Sequence, residues 1–176
     1  TFLYMDEVNL LREDILSTVL KCAEDRFFRL ERDGLSFTEE VSYTPVGTMD
    51  PAEGTLRPTL LDAFGLFVSM EDVTDPAQRR EIAARVLAFE RDPAAFRASY
   101  ATQEEEFAAS ICRARELLPR VAVPSAILHF AAACVLRAHC VGNHAEIYLI
   151  EAARALAALA GRAFVMPADV EEAAEF

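Results

Sequence analysis

The 176-residue chain has the size of one domain or of two small ones. Its 17 basic and 29 acidic residues give a formal net charge of −12, which argues against nucleic-acid binding by general phosphate neutralisation, because that needs clustered lysine and arginine. Apolar residues make up 53% of the chain, too many for intrinsic disorder and enough for a sizeable core. No run approaches the roughly 20 apolar residues that span a bilayer, and no signal peptide opens the chain, so no membrane association is expected. Cys22, Cys112, Cys134 and Cys140 form no C-x-x-C pair, which favours a reducing, cytoplasmic setting. Thr1 opens directly in an apolar run and Phe176 falls within a helical pattern, from which a piece of a longer protein is expected.

In chain order, Thr1–Met5 is a short apolar run suited to a buried strand. From Leu10 to Glu24, Leu11, Ile15, Leu16, Val19, Leu20 and Ala23 recur at helical spacing. Phe27–Arg32 and Leu35–Thr38 flank Asp33-Gly34, a dipeptide suited to a type I′ hairpin turn. Val41–Val46 predicts another strand, although Pro45 has no ladder donor. A loop follows over Gly47–Gly54, Pro58 opens a short helix to Phe64, and Leu66–Met70 is a third strand candidate. The rest predicts helices over Pro76–Glu90, Pro93–Leu118, Ser125–Val141 and His144–Ala160, with a break near residues 98–103. Asp75-Pro76 and Met166-Pro167 resemble helix starts. The expected fold class is α/β followed by all-α. Residues 1–72 form the α/β part with three strands and a hairpin insertion, 73–92 a linker helix, and 93–176 a helical bundle.

Leu3-Tyr4-Met5-Asp6-Glu7 is an apolar strand ending in two acids. That is the Walker B arrangement, in which the Asp holds Mg²⁺ and the Glu polarises a water for nucleotide hydrolysis. Taken alone the pattern is weak, since many strands end in solvated acids. Its context is more specific. Asp6-Glu7-Val8-Asn9-Leu10-Leu11, then Leu30-Glu31-Arg32-Asp33-Gly34, then Val46–Gly54 and then Leu56–Leu66 occur in order. They are followed by Phe89–Pro93, Ala114–Pro119 and Ala153–Leu159. The series resembles the AAA+ ATPase subunit of magnesium chelatase, the I subunit, over essentially the whole chain.

The resemblance implies a partial AAA+ core with a β-hairpin inserted before the sensor 1 strand and a C-terminal helical lid. It implies Mg²⁺ and ATP as cofactors of the intact family, and a hetero-oligomeric AAA+ ring with a second chelatase subunit and a large tetrapyrrole-binding subunit. The ring couples ATP to insertion of magnesium, or in related assemblies cobalt, into a tetrapyrrole. In the family's sheet, strands run in the order 5-1-4-3-2; the first two are missing here, so an incomplete or rearranged sheet is expected.

Several positions depart from the family pattern. Nothing resembles G-x-x-x-x-G-K-[ST], and Lys21 is the only lysine, so weak or no nucleotide binding is expected of this chain by itself. At the sensor 1 position the family's Asn is replaced by Asp50, an anion where phosphate charge develops. The arginine-finger position is Ala63. The sensor 2 segment reads Gly142-Asn143-His144-Ala145-Glu146, with His144 in place of Arg, and Glu151 stands where another Arg is usual. Arg57 survives as a nucleotide-side cation near the subunit boundary, its alternative role being a local ion pair with Glu53 or Asp62.

Each change also has a bland explanation. Together they predict a chelatase-type AAA+ module with Asp6 as metal ligand and Glu7 as the catalytic carboxylate that polarises water, impaired in hydrolysis. The alternative is a non-catalytic pseudo-ATPase that completes a hetero-oligomeric ring. Cys134, His139, Cys140 and His144 match no common zinc spacing and are expected to be buried thiols and ordinary histidines. His129 is expected to be a core or surface residue, and Glu104–Glu106 a solvated helix face.

Overall fold

A computed structural model of the chain describes residues 1–32, 34–140 and 144–176. Asp33 of the predicted turn and Gly142-Asn143 of the sensor 2 segment lie outside the described residues. The chain divides into two compact units, Thr1–Gly65 and Leu66–Phe176.

In the first unit, β1 (Phe2–Met5) pairs in parallel with β4 (Thr44–Gly47), in a register running from Phe2 opposite Thr44 to Met5 opposite Gly47. Pro45 is tolerated because β4 has a neighbour on one side only, so its missing N–H breaks no second ladder. Between them come α1 (Glu13–Asp25) and the antiparallel hairpin of β2 (Phe27–Arg32) and β3 (Leu35–Glu40). The helical pattern from Leu10 resolves into a 3-10 turn, Val8–Leu10, and then α1 proper, whose first turn carries Glu13 and Asp14 as the helix dipole favours. The strand expected from Val41 begins only at Thr44, because the Val41 N–H is taken by the carbonyl of Arg26 (2.9 Å) and extends the hairpin pairing instead. Val8, Leu16, Leu20, Leu56 and Leu60 form the small core, with Met5, Met49, Leu61 and Phe64 packed around it. The helix opened by Pro58, α2, is one turn long and ends at Leu61.

Leu66–Met70 does not form the third strand expected of it. A strand exists only with a ladder beside it. Among the described residues this stretch makes one backbone bond, from the Phe67 N–H to the Phe176 carbonyl (2.6 Å). The parallel sheet therefore has two strands rather than three.

The second unit holds α3 (Pro76–Arg91), α4 (Pro93–Leu117), α5 (Ser125–Arg137), α6 (His144–Leu159) and α7 (Pro167–Ala173). Proline at the first helical position follows an aspartate cap twice. Asp75 accepts from the Ala77 N–H (3.1 Å), and Asp92 accepts from the N–H groups of Ala94 and Ala95 (3.1 and 3.0 Å). The break expected near 98–103 is absent: α4 runs through it, since Ala98–Gln103 contains neither Gly nor Pro and includes the strong helix formers Ala98, Ala101 and Gln103. Helix α5 stops at Arg137, short of the expected Val141, because His139 adopts a left-handed conformation (φ 55°). The Cys140 and His139 N–H groups then close on the carbonyls of Val135 and Leu136, a Schellman ending.

Gly161 (φ 71°) ends α6 in the same way. The core joins Ile127, Ala131 and Val135 of α5 to Leu149, Ala153, Ala157 and Ala158 of α6 and to Val165, Val170 and Ala173. The alanines let the α6 backbone come close to its neighbours. No helix among the described residues is long and apolar enough to cross a membrane.

Candidate functional site

The two acids sit at the carboxyl end of β1, where parallel strands present their loops to ligands. Asp6 and Glu7 are both exposed. Asp6 Oδ1 accepts hydrogen bonds from the Tyr4 hydroxyl (3.2 Å) and from the Thr48 hydroxyl (2.5 Å). Glu7 has left-handed backbone angles (φ 51°, ψ 56°), and its N–H donates to the same Thr48 Oγ1 (3.1 Å). Two main-chain bonds complete the junction between the ends of β1 and β4: Thr48 N–H to the Met5 carbonyl (3.0 Å) and Val8 N–H to the Thr48 carbonyl (2.8 Å). Gly47 lies so close that an added Cβ would meet Val8 Cγ1 at 2.8 Å.

Asn9 ties the acid-bearing turn to the sensor 1 loop. Its amide donates to the carbonyls of Asp50 (3.0 Å) and Gly54 (3.2 Å), while its Oδ1 is buried without a partner. The Asp50 carboxylate accepts from the Ala52 N–H (2.9 Å) and caps the 3-10 turn Pro51–Glu53. Arg57 pairs with Glu13 of α1, and not with the Glu53 or Asp62 of its alternative role. Arg57 and Glu53 are close along the chain, but the core that gathers Leu16 and Leu20 of α1 with Leu56 and Leu60 brings α1 to Arg57 as well. Ala63 is exposed in the turn after α2.

Asp6, Glu7, Asp50, Arg57 and Ala63 thus belong to the first unit, and His144 opens α6 in the second, its ring edge-on to Tyr148 at 6.2 Å between centroids. Glu151 makes an ion pair with Arg154 (2.8 Å), which also donates to the Leu118 carbonyl (3.1 Å). His129 is hydrogen-bonded within its own helix to the Ser125 carbonyl (2.7 Å), and Glu104–Glu106 are exposed. Of the two cysteines expected to be buried, Cys134 is half-buried and Cys140 is exposed.

Among the described residues no three His, Cys, Asp or Glu side chains gather to hold a metal ion. A single exposed carboxylate is nevertheless the donor set that Mg²⁺ uses when nucleotide phosphates and waters supply its other ligands. Asp6 fits that role: both hydrogen bonds the structure gives it fall on Oδ1. Sequence reasoning missed Thr48 and Asn9. Both lie inside the quoted motifs, yet their partners are 41 to 45 residues away along the chain, so only the polar residue type at the exit of an apolar strand hinted at them.

A family model described as the AAA lid domain matches residues 130–176. The magnesium-chelatase subunit ChlI homolog of Methanocaldococcus jannaschii is 38% identical, over 98% of this chain and 47% of its own length. The magnesium-chelatase 38 kDa subunit of Acidiphilium rubrum is 41% identical, over 91% of this chain and 46% of its own. The chain thus spans about half the length of the curated relatives it matches. In fold it is similar to the crystal structure of a candidate ATPase from Cytophaga hutchinsonii, with a TM-score of 0.68 at 18% identity, covering 98% of this chain and 56% of that one.

Proposed function

Because this chain is an AAA+ protein homologous over nearly its whole length to the ATPase subunits of magnesium chelatase, we propose that it is part of a ring motor coupling ATP to metal insertion into a tetrapyrrole, and that its own site is impaired in hydrolysis. The observation that carries the first half is the placement of Asp6-Glu7 at the carboxyl end of β1, beside the β4 exit loop that bears Asp50. In this reading Asp6 holds Mg²⁺, Glu7 orients the attacking water, and Arg57 supplies a cation near the subunit boundary. Bound Mg²⁺ neutralises charge on the phosphates.

The impairment follows from electrostatics. An Asp50 carboxylate opposes the negative charge that develops at the terminal phosphate, where a neutral amide would stabilise it. Ala63 offers a neighbouring site no charge, and an arginine finger is worth roughly 10³–10⁵ in rate in related nucleotide hydrolysis. His144 is shorter than Arg and lacks the planar five-donor guanidinium that grips phosphate oxygens bidentately. The partners in this reading are a second AAA+-containing chelatase subunit and a large tetrapyrrole-binding subunit, with magnesium or cobalt as the inserted substrate.

The test is hydrolysis by the full-length protein, alone and mixed with the second subunit. Low turnover that rises in Asp50→Asn and Ala63→Arg supports the proposal; turnover at ordinary rates that needs Glu7 overturns the impairment. A second reading, a pseudo-ATPase that only completes the ring, is favoured by the apolar face of the hairpin, where Leu30, Leu35 and Phe37 are all exposed. Calorimetry separates the two, because a pure scaffold releases no heat with Mg·ATP.

A further inference from the structure

We propose that Thr48 is a positioning residue for both acids, a role that rests on the nucleotide reading above. Its hydroxyl is used twice: the proton goes to Asp6 Oδ1, and a lone pair accepts the Glu7 N–H. One atom therefore links the metal-side carboxylate to the backbone of the water-side carboxylate.

The bond to Glu7 matters because of the conformation it holds. Left-handed backbone angles are unfavourable for a residue with a Cβ, and such geometry persists only where the surroundings enforce it. Glu7 makes no side-chain capping bond of its own. Three bonds tie the backbone of this turn to residue 48, and two are main chain to main chain: Thr48 N–H to Met5 and Val8 N–H to the Thr48 carbonyl. These two survive any ordinary substitution at position 48. The third, at Glu7 itself, exists only while a hydroxyl is present. If Glu7 relaxes towards an extended conformation, its carboxylate leaves the chain in a different direction while β1 and β4 stay paired. The methyl group of threonine adds to this, because a β-branched side chain has few χ1 states and keeps its hydroxyl facing the junction.

Asp50, by contrast, has its carboxylate turned back onto the Ala52 N–H. At the end of β4, the side chain in contact with the acids is Thr48, two residues before the position that the family resemblance singles out.

The experiment compares Thr48→Val, Thr48→Ser and Glu7→Gln in the full-length protein carrying Asp50→Asn and Ala63→Arg, the background in which turnover is expected. Steady-state hydrolysis separates kcat from KM, and NMR amide exchange reads Glu7 and Val8 individually. In Thr48→Val, kcat is expected to fall by about 10²-fold, the scale on which roughly 1 Å misplacements cost rate, with KM changed far less. The Glu7 amide should lose protection while Val8 keeps it, and Thr48→Ser should recover most of both. Retained Val8 protection shows that the variant is folded, and Thr48→Ala gives the same comparison if valine packs badly. Unchanged kcat in Thr48→Val, or unchanged exchange at Glu7, overturns the proposal while Glu7→Gln still abolishes turnover. Absence of any Glu7-dependent turnover in this background overturns the nucleotide reading and, with it, this one.

Discussion

Gly47 has room for a hydrogen and little more. The nearest obstacle to a Cβ is Val8 Cγ1, at 2.8 Å, and Val8 is itself buried in the core beneath the site. Gly47→Ala is therefore expected to cost about 1–3 kcal/mol by overpacking, read as a lower urea midpoint with an unchanged slope. Asp169 is the buried acid of the helical unit, 3% exposed. Its carboxylate accepts from Arg162 Nη1 (2.6 Å) and from the Met166 N–H (2.7 Å), and pairs with Arg162 Nη2. The Arg162 hydrogen bond holds its pKa below the usual carboxylate range, against burial, and the Met166 amide helps. A depressed folded-state pKa contributes stability above the unfolded value of about 3.9 and loses it as pH falls through the folded value. Asp169→Asn should then destabilise by about 1.5–3 kcal/mol at pH 7, the scale of hydrogen bonds to a charged group, and the gap to wild type should close below about pH 4 in chemical melts. At this scale the acids of β1 were legible from sequence, because a hydrophobic run ending in Asp-Glu is a local pattern. The hydroxyl of Thr48 and the Glu13 partner of Arg57 were not, because nothing along the chain states which side chains meet across it.

Helices were the most legible elements. Asp-Pro at 75–76 and 92–93 marks the starts of α3 and α4 by chemistry that acts within three residues. Helix α4 buries only Ala114, so it leans on its cap and on local aromatic packing: Phe96 sits edge-on to Phe89 at 5.7 Å and near Tyr100 at 5.0 Å between ring centroids. Asp92→Ala removes the acceptor for two N–H groups and should cost about 1 kcal/mol. The loss should show as faster exchange at Ala94 and Ala95, with α6 unaffected. Strands were harder. The hairpin was readable because its two strands are neighbours in sequence, whereas β4 starts late because Val41 is claimed by Arg26. Leu66–Met70 has the composition of a strand and no ladder to join, so it remains exposed apolar chain.

The molecule has two separate cores of unequal strength. Among the described residues, the first unit buries five apolar residues within one small cluster, and the helical unit buries twelve. A unit of about 60 residues is marginal even with a good core. Leu66–Phe176 expressed alone is therefore expected to melt cooperatively by far-UV circular dichroism, and Thr1–Gly65 alone to show no cooperative transition. A sharp melt for the shorter piece would show that the small core suffices.

Sequence by itself determined the alternation of α/β and helical halves, the hairpin, the caps and breaks of most helices, and the order of motifs that links the chain to the chelatase ATPases. Each of these rests on residues within a few positions of one another. Tertiary structure decided which strand candidates became strands, which acid pairs with Arg57, and that one threonine joins Asp6 to Glu7. Those outcomes depend on contacts between residues some forty positions apart, and their geometry is set by how β1, β4 and α1 pack around Val8, Leu16 and Leu20.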